Sequence, residues 1–136
     1  MGSRSLDDLR PSVRLLVDAF LASCKAAGFD ILVTCTLRSA AEQTALYAQG
    51  RTTPGHIVTN ARAGQSPHQY GLALDIVPMV NGKPDWRGGD PVWAAVGDLG
   101  QQAGLRWLGA LGSSFPEKPH FELVTWKAEA FVGTTT

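Results

Sequence analysis

The chain has 136 residues, of which 44% are hydrophobic and 18% charged. That is long enough for one ordinary domain with its own core, and too apolar for a disordered segment. Lys+Arg and Asp+Glu both number 12, so the formal net charge is zero. With no basic run and no basic stripe interleaved with aromatics, nucleic acid is not an expected partner.

No window approaches the roughly 20 apolar residues of a membrane span, and the N-terminal MGSRSLDDLRP lacks the apolar stretch of a signal peptide. Synthesis in the cytoplasm without a signal peptide is therefore expected. Two cysteines, Cys24 and Cys35, are too few to staple a secreted fold and show no metal-binding spacing, so both read as core residues.

Residues 6–27 read as a helix. Leu9, Val13, Leu16, Val17, Phe20, Cys24 and Ala27 recur at three- and four-residue intervals, Ser5 suits the N-cap and Gly28 the stop. Pro11 places the true start nearer Arg10. Asp30 to Thr36 is β-branched and strand-like. Ser39 followed by Glu42 is a capping box that predicts a second helix from about Ala40 to Gln49, ended by Gly50. Arg38 then sits at a strand-to-helix junction, where a surface salt bridge is the plain alternative to a role in a site.

Residues 51–65 read as a loop, with a turn at Pro54-Gly55 and a short strand at His56 to Thr59. A loop this long in a small domain is usually functional or mobile. His56 reads as a solvent-facing loop histidine.

The stretch Ser66-Pro67-His68-Gln69-Tyr70-Gly71-Leu72-Ala73-Leu74-Asp75 runs into Ile76, Val77 and Pro78. Alternation along a strand from Leu72 puts Leu74 and Ile76 on one face, and Ala73, Asp75 and Val77 on the other. A carboxylate within an apolar strand needs a cation, an arginine or several N–H donors, because burying it unpaired is costly. His68 enters the strand seven residues earlier and could share one metal ion with Asp75. On this stretch alone, an Asp bonded to loop amides and a surface His is the simpler account, and a third ligand is needed.

Beyond it, Asn81-Gly82 signals a hairpin and Gly88-Gly89 a break. Asp90-Pro91 reads as the N-cap and first residue of a third helix with Trp93, Val96, Leu99 and Ala103 on its apolar face. Gly104 closes it, Leu105 to Leu108 is a short strand, and Gly109 to Ser114 is a glycine- and serine-rich linker.

The linker leads to Pro116-Glu117-Lys118-Pro119-His120-Phe121-Glu122-Leu123-Val124, a second proline-bounded loop feeding a strand. Here His120, Glu122 and Val124 share a face. His68, Asp75 and His120 together have the composition of a catalytic zinc site with an open fourth position, and Glu117 is a nearby carboxylate fit to act as general base. Glu122 either orients the His120 imidazole or faces solvent.

This combination resembles the M15-type zinc peptidases of bacterial peptidoglycan, most of all the L-alanyl-D-glutamate endopeptidases of phage endolysins and autolysins. The pattern S-x-H-x-x-G-x-A-x-D is met at Ser66 to Asp75, and acid-x-x-His at Glu117 to His120. Arg38-Ser39 with Gln43, Leu46-Tyr47 and Gly50-Arg51-Thr52, and the tract Leu105-Arg106-Trp107, are family-like too.

The resemblance implies one Zn²⁺ held by His68, Asp75 and His120, with Glu117 as catalytic base. It also implies an oxyanion-stabilising, substrate-holding Arg38, and substrate contacts from Gln43 and Ser66. It further implies an α+β fold: a small, mostly antiparallel sheet with packed helices, as in the hedgehog and D-Ala-D-Ala-peptidase domains.

A single peptidase domain over residues 1–136 (core about 6–125, then a short tail), a monomer, and peptidoglycan peptide as substrate are expected. So is action on the wall after a phage-like release. Two features depart from the endopeptidase pattern: Glu rather than Asp at position 117, and Trp107-Leu108-Gly109-Ala110 in place of W-G-G. A D-Ala-D-Ala carboxypeptidase or dipeptidase, and a non-catalytic zinc-stabilised wall-binding module, are the alternatives.

Overall fold

The computed structural model describes residues 2–87, 90–110 and 117–131. The expected break at Gly88-Gly89, most of the Gly109 to Ser114 linker and the threonine tail lie outside these residues. The chain runs α1 (Pro11–Ala26), β1 (Asp30–Cys35), α2 (Ala40–Ala48), β2 (Ala73–Val80), β3 (Lys83–Pro84), α3 (Pro91–Gln102), β4 (Leu105–Trp107), β5 (His120–Leu123) and α4 (Trp126–Phe131). Short 3₁₀ turns occupy Leu6–Asp8 and Pro67–Tyr70. The strands form one antiparallel sheet ordered β1-β2-β5-β4, with β3 hairpinned onto β2. The expected α+β class is the observed one.

Local chemistry explains most boundaries. Ser5 caps the first 3₁₀ turn rather than α1, which starts at Pro11 because proline supplies the helical φ and its missing N–H is not needed in the first turn. Ser39 and Glu42 complete the capping box of α2, and Asp90 accepts the Val92 N–H at the start of α3. Asn81 and Gly82 both have positive φ, which a two-residue hairpin turn requires. The strand expected at His56 to Thr59 is not formed. Ile57 and Val58 are exposed, and the carbonyls of His56 and Thr59 accept from the Gln49 and Arg51 side chains instead of from a strand partner.

One face of the sheet packs on α1 and α3. Val13, Val17, Phe20 and Cys24 of α1 are fully buried with Leu74, Ile76 and Phe121 of the sheet. The α3 helix comes close because Gly97 and Gly100 have no side chain. A Cβ on Gly97 would lie 2.4 Å from the Trp107 ring, and one on Gly100 2.4 Å from the Phe121 ring. The opposite face is left for polar residues. Cross-strand pairing sets Cys35 of β1 and His120 of β5 on either side of Asp75, and Arg106 of β4 beside Glu122.

Candidate active site

Paired residues in antiparallel strands project to the same face, so Cys35, Asp75 and His120 form a row across the sheet. His68 joins them from the 3₁₀ turn ahead of β2, and each residue of that turn has a local task. Ser66 accepts the His68 N–H as N-cap, Pro67 takes the first helical position, and Gln69 closes a capping box. Gly71 ends the turn at φ 66°, where a Cβ would lie 2.6 Å from the Asp8 carbonyl oxygen. Only glycine fits both conditions. Tyr70 stacks on Trp126 of α4 at 6.1 Å, so the C-terminal helix props the turn from below.

His68 Nε2, Asp75 Oδ1 and His120 Nδ1 stand 3.2 Å from one another on all three sides. Ligands about 2.0–2.1 Å from a tetrahedral zinc are separated by about 3.3–3.4 Å, so this triangle has the size of one face of such a site. The outer atoms of both imidazoles are already committed. His68 Nδ1 donates to the Thr36 carbonyl at 2.8 Å, and His120 Nε2 donates to Glu122 Oε1 at 2.7 Å. A carbonyl can only accept, so the proton of neutral His68 sits on Nδ1 and the Nε2 lone pair points inward. Glu122 sets His120 in the same way. Two imine lone pairs and a carboxylate oxygen thus converge on one point, and a dication fits this donor set.

Without a metal, protons take over the compensation. Burial alone would lower His68, but the Asp75 carboxylate outweighs it and raises the imidazole to about 10. His120 is likewise raised, by hydrogen bonds to Asp75 and Glu122 that overcome burial. Burial would raise Asp75, yet the two histidines hold it well below the ordinary carboxylate range.

Glu117 and Arg38 line the same cleft, of about 520 Å³, as the triangle. Burial pushes the Glu117 carboxyl above its ordinary value, with the charges of His120 and His68 opposing. Its backbone is tied to β4 and β5 by Glu117 N–H to the Leu108 carbonyl and His120 N–H to the Glu117 carbonyl. Arg38 lies on the other side, beyond β1. It donates through Nη1 to Gln43 Oε1 at 2.7 Å, and through Nη2 to Asp75 Oδ2 at 3.5 Å. Its buried Nε is without a hydrogen-bond partner among the described residues.

Gln43 and Ser66 both make hydrogen bonds within the protein that support the site. Gln43 is wholly buried; its Oε1 holds Arg38 and its Nε2 donates to the Ala61 carbonyl at 2.7 Å. It therefore fixes Arg38 to the 51–65 loop, with no surface turned to the cleft. Ser66 lines the cleft; its hydroxyl accepts the His68 N–H and keeps its own O–H as a donor. His56 stays exposed and outside the cleft.

Cys35 was expected to be plain core. Its sulfur instead lies 3.6 Å from Arg38 Nη2, and donor atoms of Cys35, His68 and Asp75 all fall within 4.8 Å of one another. Burial would raise the thiol, but contact with His68 brings it below its ordinary value. The triangle through His120 is the tighter set, and the Arg38 guanidinium already occupies the side between Cys35 and Asp75.

Glu122, Thr36 and Cys35 are the polar neighbours that the strand pattern alone did not assign. Glu122 is buried in hydrogen bonding with His120, which settles its orientation away from solvent.

Comparison with known proteins agrees with this architecture. Peptidoglycan L-alanyl-D-glutamate endopeptidase CwlK of Bacillus subtilis (strain 168) is 37% identical over 125 residues, covering 86% of this chain and 74% of that protein. The crystal structure of the Serratia marcescens L-Ala D-Glu endopeptidase ChiX shares the fold at TM-score 0.66 and 20% identity, over 93% of this chain and 91% of that one. A vancomycin-resistance D,D-pentapeptidase VanY in complex with Zn(II) is similar at TM-score 0.62 and 16% identity, over 93% of this chain and 79% of that one. Residues 7–115 match the family described as VanY, D-alanyl-D-alanine carboxypeptidase. The chain belongs to this VanY family of M15-type peptidases.

Proposed function

We propose that this chain is a zinc-dependent peptidase that hydrolyses the L-alanyl-D-glutamate bond in peptidoglycan stem peptides. The observation that carries the reading is the 3.2 Å donor triangle opening into a cleft that also holds Glu117 and Arg38. A purely structural metal site needs neither a spare carboxylate nor a guanidinium. The similarity to CwlK supports the choice of bond. In this reading residues 1–136 form one peptidase domain, with its core over about residues 6–125, that acts as a monomer. Among the described residues, no helix is long and apolar enough to cross a membrane.

His68, Asp75 and His120 would hold the ion, with Thr36 and Glu122 fixing the two imidazoles. Zinc supplies a Lewis acid that makes a water nucleophilic near neutral pH. Glu117 would take a proton from the attacking water, and its burial keeps it a stronger base than an ordinary carboxylate. Glu117 would then pass that proton to the amine as the C–N bond breaks, leaving the acyl half as a carboxylate. Arg38, held by Gln43, places positive charge where the carbonyl oxygen becomes negative.

The test uses purified peptidoglycan and an assay for newly exposed amino groups. Zinc-loaded protein should release them, a chelator should stop the release, and added zinc should restore it. Release that a chelator leaves untouched would remove the metal from the mechanism.

A further inference from the structure

The cleft carries charge that the neutral chain as a whole does not. Its three acids, Asp75, Glu117 and Glu122, belong to the donor triangle or interact with its histidines. Arg38 serves the same centre. The remaining lining cations are Arg106, Lys118 and Lys127, which sit on or beside β4, β5 and α4. Arg106 is open to a new partner. Its side chain is 62% exposed, and its ion pair is a loose 3.8 Å approach to Glu122 Oε2, whose carboxylate already binds His120 through Oε1. Lys127 lies with its ammonium 5.8 Å from the Trp126 ring centre.

Sheet order gives this rim a direction. Arg38 follows β1 at one edge, Arg106 belongs to β4 at the other, and the donor triangle lies between them. Glu117 is anchored at the β4–β5 side through the Leu108 carbonyl. The residue that protonates the leaving amine in this reading is therefore tethered on the Arg106 side, which favours that side for the amine half of the substrate. A glutamate residue within a chain uses its amine and one carboxyl for linkage. It keeps a second carboxyl, either as a free anion or as an amide.

We propose that Arg106 binds this second carboxylate of the leaving D-glutamyl residue, so that the enzyme prefers free-acid over amidated stem peptides. The inference rests on the peptidase reading above. A guanidinium presents two parallel donors to a carboxylate but meets like-signed N–H groups on an amide.

The experiment compares two synthetic stem peptides, alike except for a free or amidated second carboxyl on D-glutamate. Charge-assisted hydrogen bonds of this kind predict about a tenfold preference in kcat/KM for the acid. In Arg106→Gln the acid-to-amide ratio should collapse toward one at unchanged zinc stoichiometry, and Arg106→Lys should recover part of it. No preference in the wild type, or a loss in Arg106→Gln that falls equally on both peptides, would overturn the proposal and leave Arg106 as a brace for Glu122. Binding of both peptides to zinc-loaded Glu117→Gln is measured in parallel. If the wild type cleaves neither peptide, the peptidase reading falls, and the binding ratio alone decides Arg106: about tenfold tighter acid binding supports it and equal binding refutes it.

Discussion

Removing the Glu122 side chain tests whether the imidazole of His120 is held for a metal. The carboxylate is buried, and its 2.7 Å bond to His120 Nε2 is the shortest contact supporting the donor triangle. In Glu122→Ala the imidazole loses that acceptor, and a buried donor left unsatisfied costs about 1–3 kcal/mol. The ring also becomes free to turn Nδ1 away from Asp75 and His68. Losing such a support typically weakens metal binding about 10–100-fold, the same range reached from the lost bond. Glu122→Gln keeps an acceptor oxygen but not the charge, so its loss should lie near the lower end of that range. Zinc affinity would be read by competition with a chromophoric chelator, on variants whose circular dichroism matches the wild type. A folded Glu122→Ala that holds zinc within twofold of the wild type would refute this role.

Other expectations follow from the same geometry. Glu117→Gln should keep its zinc and lose at least a hundredfold in turnover, the usual scale for a general base, and wild-type turnover would remove it from that role. His120→Ala should lose the metal, and unchanged zinc stoichiometry would exclude it as a ligand. In the metal-free protein His68 is raised to about 10 from an ordinary 6.5, so its contribution to stability is complete below pH 6.5 and declines as pH rises toward 10. The melting temperature of chelator-treated protein should fall over that window. Zinc should flatten the fall, because binding at pH 7 expels the His68 Nε2 proton. A calorimetric titration in buffers of different ionisation enthalpy should show at least one proton released per zinc, and none released would contradict a protonated His68. Gly97→Ala should lower the melting temperature by several degrees, since a methyl 2.4 Å from the Trp107 ring forces α3 off the sheet. An unchanged melting temperature would mean that the helix can shift freely.

What was legible in the sequence was local. The Ser66 to Asp75 stretch announces itself because the cap, proline, left-handed glycine and strand carboxylate each act within a few residues of the chain. The capping box at Ser39 and the hairpin at Asn81-Gly82 are readable for the same reason. Cys35 was not, because β1 is irregular. Val33 pairs with Ile76 and Cys35 with Asp75, so Thr34 is an extra residue and the alternation of faces is broken there. A strict two-residue period puts Cys35 with Val33 on the core face, whereas the bulge turns it toward Asp75. The motif around Gln43 points it toward substrate. Its burial depends on the distant Ala61 carbonyl and on Arg38 folding back over α2, which no local pattern encodes. Glu122 stood between two accounts until the β4–β5 pairing covered it.

The most direct test of the central claim is mass spectrometry of peptidoglycan fragments released by zinc-loaded protein, with Glu117→Ala digested alongside. Wild-type protein should create new amino termini at D-glutamate, and Glu117→Ala should create almost none while retaining zinc. Release of D-alanine instead would contradict the endopeptidase assignment and place the chain with the carboxypeptidases of its family. Intact peptidoglycan despite bound zinc would contradict the enzymatic account altogether.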